Sequence, residues 1–229
     1  VIIMEYFKKA FDLILHDNAE LFQIIGTTMT MSFFSTAVSS LLGIVLGICL
    51  GRTGIKGKGI IMRILNTLMS LPPVVAGLVV FMLFRSVGPF GSFHLMFSVK
   101  IMIIAQILLI TPVICCLTAS ATEEKSKLIS ETARGLGLPW HKEMTLLFKE
   151  CAGQLVSIVL MGFGRSIAEV GAVSMVGGNI QFKTRVMTTA IMLETNRGDF
   201  EKALALGIIL LCISLLVNSV AYGIKEKMK

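Results

Sequence analysis

Arg165 and Glu169 are the residues whose types and spacing first suggest chemistry. They stand four apart in GRSIAEVGAVSMVGGNI, so on a helix they share one face. Their surroundings are apolar, and ionisable groups in an apolar span are costly and usually face a bundle interior. A mutually neutralising structural pair is the plainer reading. Nothing nearby resembles an enzyme site. His16, His94 and His141 are far apart, and there is no HExxH, GxSxG or cluster of histidines with carboxylates. Gly57-Lys58 hints at a P-loop, but Arg52 stands where that motif needs glycine, and Gly59 where it needs Ser or Thr. Cys49, Cys115, Cys116, Cys151 and Cys212 lack CxxC spacing and read as small packing residues. No catalytic residue, metal site or cofactor is expected.

Two further segments carry unusual residues. In SLPPVVAGLVVFMLFRSVGPFG, from Ser70, Pro72 and Pro73 fall inside an apolar run. Mid-span proline removes a backbone hydrogen bond, so the pair predicts a hinge or break near mid-membrane. The stretch from Glu123 to Glu150 is polar and too long for a simple turn. Its first half sets Leu128, Thr132, Ala133 and Leu136 on one helical face. Gly137 then ends the helix, and Pro139 starts another at its first position. The result is a short helix-turn-helix knob; an interfacial loop binding lipid is the plainer alternative.

The elements that must position these residues are membrane helices. Only 15% of the 229 residues are charged, against about 25% in soluble domains. The mean hydropathy is +0.84, and the apolar residues form runs near the roughly 20 needed to cross a bilayer. The fold class is therefore all-α and polytopic, with the lipid bilayer as its surroundings. Five spans are expected, near Gln23–Leu50, Gly59–Phe84, Val99–Thr122, Ala152–Val176 and Lys202–Gly223, in a single domain over residues 1–229. A short re-entrant or interfacial helix falls near Arg185 to Glu194. The N-terminal stretch to Phe22 suits an amphipathic interfacial helix, with a plain stub of the first span as alternative. No cleavable signal peptide and no regulatory module after Lys229 are expected. In the first span, Gly43, Gly47 and Gly51 form a stripe for close helix approach. Its hydroxyls, Thr27 to Ser40, read first as packing and second as a polar path.

The formal net charge of +7 does not point to nucleic acid, because no basic stripe with interleaved aromatics appears. The Lys and Arg residues sit between spans and set orientation. The set Arg52, Lys56, Lys58, Arg63, Lys125, Lys127, Arg134, Lys142, Lys149, Lys225, Lys227 and Lys229 outweighs Lys8, Lys9, Arg85, Lys100, Lys183, Arg185, Arg197 and Lys202. This bias places the N-terminus outside and the C-terminus in the cytoplasm, in the cell membrane.

Glu131-Thr132-Ala133, with Gly137 six residues after the glutamate, resembles the EAA loop of ABC importer permeases. Thr132 departs from the usual alanine, and Leu147-Phe148-Lys149-Glu150 from an Ile-x-Leu-Pro ending. The Pro72-Pro73 segment resembles the molybdate, tungstate and sulfate branch, most of all its tungstate members. Arg165 to Ala172 is similar to that branch's R-x-x-x-E-[FV]-G-A stretch near the gate, and the resemblance covers most of the chain from Ser70. It implies that Glu131, Thr132, Ala133, Arg134, Gly137, Leu138, Pro139 and Trp140 couple to an ATPase. It further implies that Pro72, Pro73, Arg165, Glu169 and Gly171 belong to the gate or translocation path. Implied partners are a second copy of the chain, two ABC ATPase subunits that bind the ATP, and an extracytoplasmic substrate-binding protein. The implied function is import of tungstate or molybdate by alternating access. An ABC permease for sulfate, phosphate or an amino acid is the nearer alternative. An ion-driven secondary transporter is the farther one, since it expects inverted repeats and several intramembrane acids.

Overall fold

The computed structural model describes residues 19–52 and 57–227, so the first eighteen residues of the expected interfacial segment lie outside it. Among the described residues the chain is α-helical: α1 Ala19–Gly51, α2 Lys58–Met69, α3 Pro73–Phe84, α4 Val99–Gly135, α5 Trp140–Ala168, α6 Gly171–Gly177, α7 Met187–Arg197 and α8 Phe200–Lys227. Helices α1, α4, α5 and α8 are each long and apolar enough to cross a membrane, and α2 with α3 makes a fifth span if the bent pair is counted as one.

Helix α1 shows why such a sequence suits lipid. Its buried face carries Thr28, Ser32, Ser35, Thr36, Ser39 and Ser40, while Phe33, Phe34, Val38, Leu41, Leu42, Val45 and Leu46 are exposed. A water-soluble helix does the reverse. In hydrocarbon, small hydroxyl residues pack helices closely and apolar side chains face the solvent. The hydroxyls thus serve packing, the plainer of the two readings. Thr28 donates to the Ile24 carbonyl of its own helix at 2.7 Å, and Thr111 donates to Ser39 at 3.2 Å.

One expectation about the spans takes the second of its two forms, and two others change. At Pro72-Pro73 the hinge or break expected is a break: the chain turns by 95° between α2 and α3. Proline clashes with the helical conformation of the residue before it, which ends α2 ahead of Leu71. Pro73 then occupies the first position of α3, where a missing N–H costs nothing. The helix of the third span, α4, does not stop near Thr122; its 37 residues reach about 55 Å at about 1.5 Å per residue. The fourth span starts early, at Trp140, and its helix ends at Ala168 before a separate seven-residue helix, α6. The short helix expected near Arg185 is α7.

The residues cluster into two compact units. Among the described residues, one comprises residues 19–35, 72–106 and 164–219, and its apolar core includes Leu21, Ile24, Met187, Ala190, Leu206 and Ile209. The other comprises residues 36–52, 57–71, 107–163 and 220–227, with Ile48, Ile110, Ile114, Leu147, Leu155 and Ile158 at its core. The glycine stripe works in this second unit. A Cβ on Gly47 would lie 2.7 Å from the Cys115 carbonyl oxygen, and one on Gly51 2.7 Å from that of Ala119. Only glycine permits this approach of α1 to α4.

Candidate functional site

The expected coupling residues occupy the junction of α4 and α5. Gly137 has φ +61°, the left-handed conformation that glycine adopts without strain. Its N–H bonds to the Arg134 carbonyl at 3.0 Å, and the Leu138 N–H to the Ala133 carbonyl at 2.9 Å. These are the paired bonds of a Schellman cap, which satisfy carbonyls that the end of α4 would orphan. The Pro139 carbonyl accepts from Lys142 and Glu143, so Pro139 caps α5 and does not occupy its first helical position as expected. The expected common face also divides. Ala133 is buried with Ser126 and Ser130, whereas Leu128, Thr132 and Leu136 are exposed four residues apart. The Thr132 hydroxyl donates to the Leu128 carbonyl at 2.9 Å, so threonine in place of alanine leaves no unsatisfied group.

Leu128, Leu136 and Trp140 are 73%, 69% and 65% exposed, among exposed Glu131 and Arg134. Beside them runs a groove of about 560 Å³ lined by Glu124, Lys125, Leu128, Ile129, Thr132, Leu146 and Glu150. Apolar anchors within a polar rim are the makings of a protein docking surface.

Sequence reading missed what holds this junction. Glu143, in the first turn of α5, is buried and accepts two bonds from Arg52, at 3.2 Å from Nε and 2.8 Å from Nη2. Ser130 of α4 donates to the same carboxylate. Ninety-one residues separate Arg52 from Glu143, so no local pattern could announce the pair.

The expected gate residues gather around the break between α5 and α6. Here α3 packs on α6 through its smallest residues. A Cβ on Gly77 would lie 2.8 Å from the Cα of Ala172, and one on Gly171 2.9 Å from a Val74 methyl and 3.5 Å from the Pro73 Cβ. Pro73, Gly171 and Glu169 thus share one locality, with Pro72 capping α3 next to them.

Arg165 and Glu169 do not form the expected pair. The helix ends at Ala168, so Glu169 leaves the register that would have stacked it on Arg165. Instead its Oε1 accepts the Ala172 N–H at 3.3 Å, and its backbone carbonyl accepts the Thr188 hydroxyl at 2.9 Å. A carboxylate at the start of a short helix offsets exposed N–H groups there. The Arg165 Nε is buried without an acceptor.

Beside Arg165 lies a polar node that the sequence reading did not single out. Ser35 and Ser166 donate to the Gln106 Oε1 at 2.6 and 2.9 Å, and the Gln106 Nε2 donates to the Ser166 carbonyl at 2.8 Å. All three residues are fully buried. Gln106 was the available signal, as a lone amide inside IIAQILLI. The arrangement holds no nucleophile beside a base. It offers hydroxyls, amides, close backbone contacts and the unpartnered Nε of Arg165, which fit a structure that moves a solute.

Long helices facing lipid, broken at two points and joined at one junction by an exposed polar turn, define a polytopic membrane transport subunit. The chain belongs to the family of binding-protein-dependent transport system inner membrane components, which its residues 43–229 match. It is 36% identical to the tungstate uptake system permease protein TupB of Peptoclostridium acidaminophilum over 225 residues, covering 98% of this chain and 99% of that one. It is 34% identical to TupB of Campylobacter jejuni subsp. jejuni serotype O:2, covering 98% and 94% of the two chains. Among solved structures, a chain of a bacterial ABC transporter involved in import of the acidic polysaccharide alginate shares its fold. The TM-score is 0.78 at 16% identity, covering 96% of this chain and 83% of that one.

Proposed function

We propose that this chain is the membrane-spanning subunit of an ATP-driven importer of a tetrahedral oxyanion, tungstate or molybdate. The observation that carries the reading is the end-to-end likeness to a tungstate uptake permease at 36% identity. In this reading, residues 1–229 act as one permease domain, because α1, α4 and α5 each contribute to both compact units. Two copies pair to enclose the path, two ABC ATPase subunits bind ATP on the inside, and an external binding protein delivers the anion. The N-terminus is outside and the C-terminus inside. Glu131, Thr132, Ala133, Arg134, Gly137, Leu138, Pro139 and Trp140 dock the ATPase; the exposed Leu128, Leu136 and Trp140 support that role. Pro72, Pro73, Glu169, Gly171 and Arg165 form the gate. An oxyanion in a low-dielectric bundle needs dipoles or positive charge. The unpartnered Nε of Arg165 and the occupied Glu169 carboxylate suit that need.

The test is purification of the chain with its candidate ATPase and binding protein, followed by mass-detected tungstate uptake into vesicles. Association with the ATPase and ATP-dependent uptake that molybdate competes for are the expected results. Uptake driven by an ion gradient without ATP would overturn the reading in favour of a secondary transporter. Single cysteines at Ser92 and Asn196, both exposed, should react from outside, and one at Lys127 should not.

A further inference from the structure

We propose that Arg52, Ser130 and Glu143 form a clamp that ties the docking turn to the end of α1, with Glu143 as its positioning residue. The proposal rests on the reading of the chain as an ATP-driven importer subunit, and adds how the push is passed on. Three helix ends meet at one carboxylate. Arg52 follows Gly51 at the end of α1, where helix carbonyls favour a cation. Glu143 sits in the first turn of α5, where free N–H groups favour an anion. Ser130 lies on α4, shortly before the Gly135–Pro139 turn. The carboxylate is 4% exposed, and Arg52 grips both its oxygens, which fixes angle as well as distance.

The other tethers in this region differ in kind. Lys58 meets Glu123 at 2.8 Å, but Glu123 is 57% exposed, and such surface pairs contribute little. Lys125 donates to the Glu150 backbone carbonyl, which carries no charge. Breaking the buried pair leaves a charge without its partner, a heavier penalty than losing a surface pair. Meanwhile Gly47 and Gly51 press the α1 backbone against Thr118 and Thr122, so α1 cannot slide along α4 without collision. With the clamp closed, a displacement of the turn must carry the end of α1 with it. With the clamp open, α5 can move while α1 stays.

The experiment compares uptake per ATP hydrolysed in vesicles holding the whole complex, at equal amounts of assembled protein. Glu143→Gln keeps the shape and removes the charge, and Arg52→Ala removes the partner. Each should leave the ATPase bound and hydrolysing while uptake per ATP falls about ten-fold, within the usual range of coupling between sites. Combining Arg52→Ala with Glu143→Gln should cost no more than either change alone, because both remove one interaction, and Lys58→Ala should leave the ratio unchanged. Unchanged uptake per ATP in both single variants would overturn the clamp. If the single variants assemble poorly, the milder Ser130→Ala decides, since it removes only the hydroxyl donor to Glu143: a lowered ratio supports the clamp, and an unchanged ratio overturns it. An unaltered chain that binds no ATPase would instead refute the importer reading, so the two failures are distinct.

Discussion

The break around Glu169 and the junction around Glu143 each centre on a buried carboxylate, yet they are held in different ways. At the junction the carboxylate faces an arginine and a serine from two other helices, and the bonds are charge-assisted. At the break the carboxylate accepts one backbone N–H, and Gly77, Ala172 and Gly171 hold α3 and α6 by backbone approach. The junction follows the long polar extension of α4, where charges can be solvated before they pair. The break is flanked by apolar helices, where steric fit and neutral bonds cost less than ions. In the proposed reading, a gate built from backbone contact is stiff against compression, and a lever joined by charge resists rotation.

The largest expected effect tests the steric half of this contrast. Gly77→Leu places a side chain where even a Cβ would lie 2.8 Å from the Ala172 Cα, and backbone cannot step aside as a side chain can. Overpacking of this kind costs about 1–3 kcal/mol or more. We expect loss of assembled protein in detergent and abolished uptake. Gly164→Ala is the control, since nothing lies within 4 Å of its added Cβ. Equal tolerance of the two changes would mean that α3 and α6 are not in close contact.

Next in size is the turn between α4 and α5. Gly137 has open space around it but a left-handed backbone, so Gly137→Ala should cost about 1 kcal/mol in local strain and little in docking. Gly137→Trp adds bulk to an exposed surface and should abolish ATPase co-purification while the helices stay folded by circular dichroism. Retained ATPase binding and stimulated hydrolysis in Gly137→Trp would remove this turn from the docking surface.

These tests also mark what could be read from the sequence. The Schellman turn was legible because Gly137 and Pro139 act through local backbone preference. The break at Pro72 was legible for the same reason, although its form was not: two prolines can kink a helix or end one start another, and the tertiary setting chose the second. The buried hydroxyl face of α1 followed from spacing once lipid was taken as the solvent. The Gln106 node and the Arg52–Glu143 pair join residues 60 to 131 positions apart, and only folding brings them together. Arg165 and Glu169 misled because four-residue spacing implies a pair only while the helix continues, and it ends at Ala168.

A smaller effect separates the two prolines. Pro73 stands at the first helical position, so Pro73→Ala should change little. Pro72 holds ψ at 130°, outside the helical range. Pro72→Ala releases Leu71 from its restriction and should let α2 extend towards α3, slowing uptake with assembly intact. Equal uptake by both single variants would reduce the pair to a packing detail.

The smallest expected effect is at Glu169, and it distinguishes an acceptor from a charge. If this carboxylate neutralised Arg165, Glu169→Gln would strand a buried cation and cost several kcal/mol. In the structure its Oε1 accepts an N–H from Ala172, and a glutamine amide oxygen can accept the same bond. The change should therefore cost less than about 1 kcal/mol, the difference between a charge-assisted and a neutral bond. Glu169→Leu removes the acceptor and leaves the N–H unsatisfied, which costs about 1–3 kcal/mol. Measured by thermal unfolding of the purified complex and by anion leak without ATP, Gln should resemble the unaltered chain, while Leu should unfold earlier and leak. Equal damage from both would show that the negative charge itself closes the gate, and the contrast with Glu143 would fail.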